Sequence, residues 1–326
     1  MSSELRLLGV AATALLLGLL LGPVVIPLLR RLRAGQTTRE DGPATHLKKS
    51  GTPTMGGIIF LLPTVVSLIL WVPAAERQAA LAWLWLVLGS GLIGFVDDYI
   101  KVVKKQSLGL MARYKLLGQL LVATVFYLML RLLGLDETLV IPWLGWEISL
   151  GWGYLGLVVL MNIAATNAVN LTDGVDGLAS SCVIISSLAY LFVGLVTDNL
   201  VVAIAAAAMI GGLLAFLRFN WHPAQVFMGD VGSLALGAGL AGAAILTKTE
   251  LLLIPIGIVY VLEALSDILQ VTYFRLTGGK RIFKMAPLHH HFELSGWSET
   301  RVVALWCALS ALGAAVGLVG LSQMTF

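Results

Sequence analysis

Five aspartates in three separated polar segments, Asp97 with Asp98, Asp173 with Asp176, and Asp230, are the residues best placed to do chemistry in this chain. They stand among lysines, asparagines and glycines with no Cys–His framework beside them. Such a donor set suits a hard cation like Mg²⁺, held by few carboxylates together with substrate phosphates. The chemistry this implies is phosphoryl transfer: carboxylates repel a diphosphate unless a cation intervenes and neutralises the charge developing on the leaving phosphate.

Each segment adds its own signal. Asp97 and Asp98 diverge if helical, whereas Asp97 and Lys101 stand four apart on one face, so one acid pairs with lysine and the other faces a site; the alternative is a solvated helix end. Lys104, Lys105, Arg113 and Lys115 follow. The octet Asn170-Leu171-Thr172-Asp173-Gly174-Val175-Asp176-Gly177 offers an amide and two carboxylates to a metal or a ribose, and its glycines let backbone approach a phosphate. In Phe219–Ser233, Trp221 and Phe227 can stack on a base, and Asp230 sits between Gly229 and Gly232 at a helix start, as a cap or a metal ligand. The run His46 to Gly57 places lysines and hydroxyls before a helix, a phosphate-contacting arrangement or a simple positive anchor; it is no Walker A loop. Glu263, Asp267 and Gln270 form one helical stripe that must face a cleft or another helix, because lipid does not tolerate it. His289, His290 and His291 are consecutive and internal, which argues against an affinity tag and against convergent zinc ligation; they read as phosphate donors or as residues that shape a loop.

The elements that must position these groups are membrane helices. Of 326 residues 58% are hydrophobic and 12% charged, against about 25% charged in soluble domains. Apolar runs near 7–29, 53–72, 79–96, 114–134, 152–170, 178–197, 199–217, 231–247, 250–271 and 302–321 predict about ten spans in a single all-α polytopic domain covering 1–326, or nine if the short eighth or the polar-ended fifth does not cross. With both termini outside, every Lys and Arg of the 21 except Arg6, Arg77, Arg131 and Lys248 falls on the cytoplasmic side, which places the acidic segments there too. The first run is expected to be a retained helix, anchored by Arg30, Arg31 and Arg33. A small hairpin around Gly145 is expected at the outer interface, its tryptophans at headgroup level. Gly237-Ala238-Gly239-Leu240-Ala241-Gly242 matches a dinucleotide fingerprint only formally; inside a span it means close helix packing. Cys182 and Cys307 lie within spans and imply neither disulfide nor metal.

Asp97-Asp98-Tyr99-Ile100-Lys101, the octet Asn170–Gly177, Phe227-Met228-Gly229-Asp230-Val231-Gly232-Ser233 and Ala286-Pro287-Leu288-His289-His290-His291-Phe292-Glu293 together resemble the signature segments of the polyprenyl-phosphate hexose-1-phosphate transferases, the last resembling the bacterial phospho-N-acetylmuramoyl-pentapeptide branch. The resemblance implies a ten-helix, homodimeric, Mg²⁺-dependent enzyme of the bacterial cytoplasmic membrane, with its cleft on the cytoplasmic face and no nucleic-acid partner. It implies transfer of phospho-MurNAc-pentapeptide from UDP-MurNAc-pentapeptide to undecaprenyl phosphate, giving the first lipid-linked peptidoglycan intermediate and UMP. By the family pattern Asp230 is the metal ligand and a catalytic residue with Asp97, Asp98 and His289. Asp176 and Phe227 belong to the uridine pocket. Lys49, Thr54, Lys101, Lys115, Asn170, Asp173, Gly174, Asn220, Gln270, His290 and His291 line the cleft. A sibling transferase for UDP-N-acetylglucosamine would share the aspartate motifs and differ at Pro287–Glu293. An ion-coupled transporter would account for Glu263 and Asp267, but such proteins keep ionisable groups near the midplane and show repeated halves, and no repeat is found here.

Overall fold

The computed structural model describes residues 3–32, 51–104 and 109–324. Among them, eight helices are long and apolar enough to cross a membrane: α1 (Ser3–Arg31), α3 (Arg77–Val103), α4 (Ala112–Leu132), α5 (Gly153–Thr172), α6 (Leu178–Val196), α7 (Leu200–Asn220), α8 (Gly229–Leu246) and α12 (Glu299–Leu321). A ninth candidate is broken, and α2 (Ile58–Trp71) is shorter, at 14 residues. The protein is thus a mostly helical, multi-pass membrane protein, and each apolar run read from the sequence contains a helix.

Two of those runs differ from the expectation for a physical reason. In the second, residues 53–57 stay out of the helix because their backbone groups bond elsewhere: Gly56 N–H donates to Phe227 O at 2.8 Å, Gly57 N–H to Met228 O at 2.9 Å, and Phe227 N–H to Pro53 O at 2.8 Å. The approach is close enough that a Cβ on Gly57 would stand 2.4 Å from Gly232 Cα. In the run near 250–271, a 3₁₀ turn and α9 (Leu253–Ile256) meet α10 (Ile258–Leu276) at 82°. Pro255 and Gly257 flank the break, the first lacking an N–H and the second a poor helix former.

α7 and α8 form the centre, and α8 is almost wholly enclosed. It packs on α3 and α5, while α7 packs on α1, α2 and α6. Small residues permit this. A Cβ on Gly237 would meet Ala165 O at 2.4 Å, and one on Gly242 would meet the Trp83 ring at 2.9 Å. The formal dinucleotide fingerprint is a helix-packing surface. Between α4 and α5, β1 (Thr138–Ile141) and β2 (Trp146–Ser149) form the antiparallel hairpin, paired from Thr138 with Ser149 to Ile141 with Trp146 and closed through Trp143 and Gly145 at positive φ. Trp143 and Trp146 are exposed on it.

Candidate active site

Helix ends bring the carboxylates together. Asp97 and Asp98 lie in the last two turns of α3, both buried, and Asp230 lies in the first turn of α8. α3 and α8 touch so closely there that a Cβ on Gly94 would stand 2.1 Å from Asp230 O. One ligand atom from each of the three carboxylates falls within 4.8 Å of the others. Three acids at that distance are tolerated because cations and donors surround them. Lys101 Nζ pairs with Asp97 in the i, i+4 contact read from the sequence, and lies 3.3 Å from Asp230 Oδ2. Lys115 Nζ is 3.1 Å from the same oxygen. Asp230 Oδ1 accepts from Asn170 Nδ2 at 2.9 Å, Asp98 Oδ2 from the Val231 N–H at 3.1 Å, and Asp97 Oδ1 from the Leu110 N–H at 2.7 Å.

The octet forms the adjoining wall. Asn170 lies in the last turn of α5, where its amide also donates to Ser233 Oγ at 2.8 Å. Asp173 caps α5, partly buried. Burial, and then the neighbouring carboxylates of Asp230, Asp98 and Asp176, push its carboxyl well above the usual carboxylate range, opposed only in part by a hydrogen bond from the Gly229 backbone. Gly177 turns the chain at φ +75, and its N–H donates to Asn220 Oδ1 at 3.1 Å. Asn220 also accepts from Ser180 Oγ at 3.1 Å and donates to Val226 O at 3.0 Å. Asn220 is therefore a buried brace between the octet and the 221–228 loop. Asp176 does similar work: its Oδ2 accepts from the Ala224 N–H at 3.0 Å and lies 3.1 Å from His222 Nδ1. Phe227, on that loop, is partly buried beside the backbone pairing to Pro53 and Gly56. Thr54 is buried where a Cβ on Gly229 would strike it at 2.7 Å, so Thr54, Asp98 and Gly229 share one corner.

The remaining sequence-derived residues separate. Gln270 organises a loop, accepting from the Ile282 and Phe283 N–H groups at 3.0 Å each and donating to Phe283 O. It also lines a cavity of about 310 Å³ with Asp267, Phe274, Arg275 and Arg281. The three histidines lie on α11 (Leu288–Glu293) and have different partners: His289 is buried against Gly174, His290 Nδ1 is 2.8 Å from Glu293 Oε2, and His291 Nδ1 accepts from the Lys284 N–H at 3.1 Å. Lys49 lies outside the described residues.

Three residues escaped the sequence reading. Ser233 fell within a quoted motif but carried no assigned role. Glu299 and His222 stand around Asp176, at 3.4 Å from its backbone N to Glu299 Oε2 and 3.6 Å between His222 Nδ1 and Glu299 Oε2. Glu299 lies 123 residues from Asp176, and no local spacing announces such a contact.

The carboxylate triad can hold a divalent cation by its donor set, three oxygen-bearing acids with no soft ligand among them. Helices apolar enough to span a membrane carry this site at their ends, with a glycine-bearing wall beside it, and residues 80–248 match the model of glycosyl transferase family 4, which makes the class a membrane transferase. Residues 49–61 match the first phospho-N-acetylmuramoyl-pentapeptide-transferase signature. The chain is 51% identical to the phospho-N-acetylmuramoyl-pentapeptide-transferase of Halalkalibacterium halodurans, covering 92% of each chain. It is 49% identical to that of Desulforudis audaxviator, over 96% of this chain and 98% of the relative. With that of Pelotomaculum thermopropionicum it shares 52% identity over 94% and 95%. The chain belongs to the phospho-N-acetylmuramoyl-pentapeptide-transferase family.

Proposed function

We infer that this protein transfers phospho-MurNAc-pentapeptide from UDP-MurNAc-pentapeptide to undecaprenyl phosphate, yielding undecaprenyl-diphospho-MurNAc-pentapeptide and UMP. The observation that carries the reading is the convergence of Asp97, Asp98 and Asp230 under Lys101 and Lys115 beside the Asn170–Gly177 wall. The names of relatives about half identical over nearly the whole chain supply the substrate class.

Asp230, with Asp97 and Asp98, would hold Mg²⁺, which when bound neutralises charge on the diphosphate. Lys101 and Lys115 reach the same carboxylate edge, where they would meet incoming phosphate oxygens. Asn170 and Ser233 keep Asp230 in one orientation. Asp176 and Asn220 fix the loop that carries Phe227, and that loop and the octet together form the nucleotide-facing wall. A phosphate monoester has a second pKa of about 6, so the lipid acceptor reaches the site largely as the dianion and needs little base assistance. Direct attack of the lipid phosphate on the sugar-bearing phosphorus follows, with Asp97 taking any residual proton. The positive-residue asymmetry supports a cytoplasmic site with both termini outside, and the family resemblance supports a homodimer.

The test is radiolabelled UMP release on mixing the purified protein, Mg²⁺, UDP-MurNAc-pentapeptide and undecaprenyl phosphate. Absence of release from a folded sample refutes the reading. A covalent sugar-phosphate adduct trapped on an aspartate without lipid acceptor would replace direct attack by a two-step route.

A further inference from the structure

Behind the octet lies a buried carboxylate–imidazole pair that the transfer chemistry has not used. Glu263 on α10 and His289 on α11 are both fully buried. His289 Nδ1 stands 3.2 Å from Glu263 Oε1, and the same oxygen accepts the indole N–H of Trp306 on α12. Neither imidazole nitrogen has an aligned hydrogen bond among the described residues: Nδ1 has the Glu263 carboxylate as its close charged neighbour, and Nε2 is aimed at Gly174, where an added Cβ would stand 2.2 Å from it. The His290 ring packs edge-on against the His289 ring, 4.1 Å between centroids.

A carboxylate is costly to bury and persists where something specific holds it. Here the indole pins the carboxylate, and the carboxylate is left facing one nitrogen of one imidazole. In a neutral imidazole only one nitrogen carries hydrogen, and the partner of one nitrogen decides the state of the other. We propose that Glu263 is a positioning residue for His289, holding its proton on Nδ1 and turning the bare Nε2 lone pair onto the backbone of the Asn170–Gly177 wall. Trp306 is the second anchor of this arrangement. The octet is thereby backed by an acceptor that cannot flip, and Gly174 is glycine because the imidazole occupies the space of a side chain. The consequence for turnover rests on the transferase reading; the tautomer does not.

The experiment uses the full-length protein in detergent, labelled with [¹⁵N]histidine, as wild type, Glu263→Gln and Glu263→Asp. Glu263→Gln keeps an oxygen for the Trp306 N–H but loses the charge that selects the proton. The expected spectrum shows His289, assigned by comparison with His289→Gln, as a single Nδ1–H tautomer in wild type and Glu263→Asp and as a mixture in Glu263→Gln. Glu263→Gln is expected to lower kcat by about tenfold or more, since a mis-set tautomer is costly in catalytic imidazoles, with KM for the UDP substrate little changed; Glu263→Asp recovers part of kcat. A single Nδ1–H tautomer persisting in Glu263→Gln overturns the proposal, as does an Nε2–H tautomer in wild type. Equal melting losses in both variants with kcat unchanged would also overturn it, leaving a packing role alone. Failure of wild type to release UMP would instead refute the transferase reading, and the tautomer measurement would still decide the proposal.

Discussion

The Asn170 amide lies 2.9 Å from Asp230 Oδ1 and 2.8 Å from Ser233 Oγ, so the end of α5 is fastened to the start of α8 at the carboxylate that faces both lysines. A neutral donor at that place orients Asp230 without competing for its charge. Replacing it by an acid sets like charges side by side, which disfavours ionisation of one of them. Asn170→Asp is expected to lower kcat by at least about tenfold, the scale of losing a donor to a reacting charge, and to raise the Mg²⁺ concentration for half-maximal UMP release. Asn170→Ala should move both quantities less.

The division of work between the triad and the wall gives a second expectation. Asp230→Asn removes a triad acid and should abolish turnover and its response to Mg²⁺. Asp176→Asn weakens the hold on the Ala224 N–H and His222 and should mainly raise KM for the UDP substrate. Initial rates over a grid of UDP-substrate and Mg²⁺ concentrations separate the two, and matching defects would contradict the assignment.

Close approach of α3 and α8 sets a third. A methyl at Gly94 would run into Asp230 O at 2.1 Å, against backbone that cannot move aside. Gly94→Ala is expected to cost about 1–3 kcal/mol as overpacking and to displace the triad, so the melting temperature and kcat should fall together. Gly278, with open space around it, serves as the control position for activity on substitution by Asn, which tolerates positive φ.

Asp173 carries a pH expectation. An unfolded aspartate titrates near about 3.9, and the fold holds this one well above the usual range through burial and the carboxylates of Asp230, Asp98 and Asp176. The folded state therefore prefers the protonated acid. That contribution is complete below the unfolded value and is lost as pH rises through the raised folded one. In chelator, Asp173→Asn should melt above the parent at about pH 8, and the difference should shrink towards about pH 5, where both side chains are neutral in the fold. Melting scans across that range check it; a constant difference would contradict it.

Much of this site was legible along the chain because charged groups are rare in apolar sequence, so Asp97, Asp98, Asp173, Asp176 and Asp230 announced themselves. The Asp97–Lys101 pair followed from helical spacing, and the hairpin from Gly145 among β-branched and aromatic residues. What spacing could not show is which helix end meets which. Nothing local says that Pro53 pairs with Phe227, so the apolar run begins five residues before the second helix does. Nothing local says that Gln270, besides lining a cavity, fastens residues 282 and 283. Glu263 was legible as a stripe residue facing something other than lipid, while its partners Trp306 and His289 emerged only from the packing of three helices.

The contact from Val231 N–H to Asp98 spans 133 residues, and that from Phe227 N–H to Pro53 spans most of the chain between α2 and α8. During synthesis α3 is therefore completed long before the backbone N–H that orients Asp98 exists. Asp97 can find Lys101 at once, being four residues away on the same helix, but Asp98 must wait for α8. The reactive centre is an attribute of the finished bundle, and a chain halted before α8 would carry its acids at a helix end with no site around them.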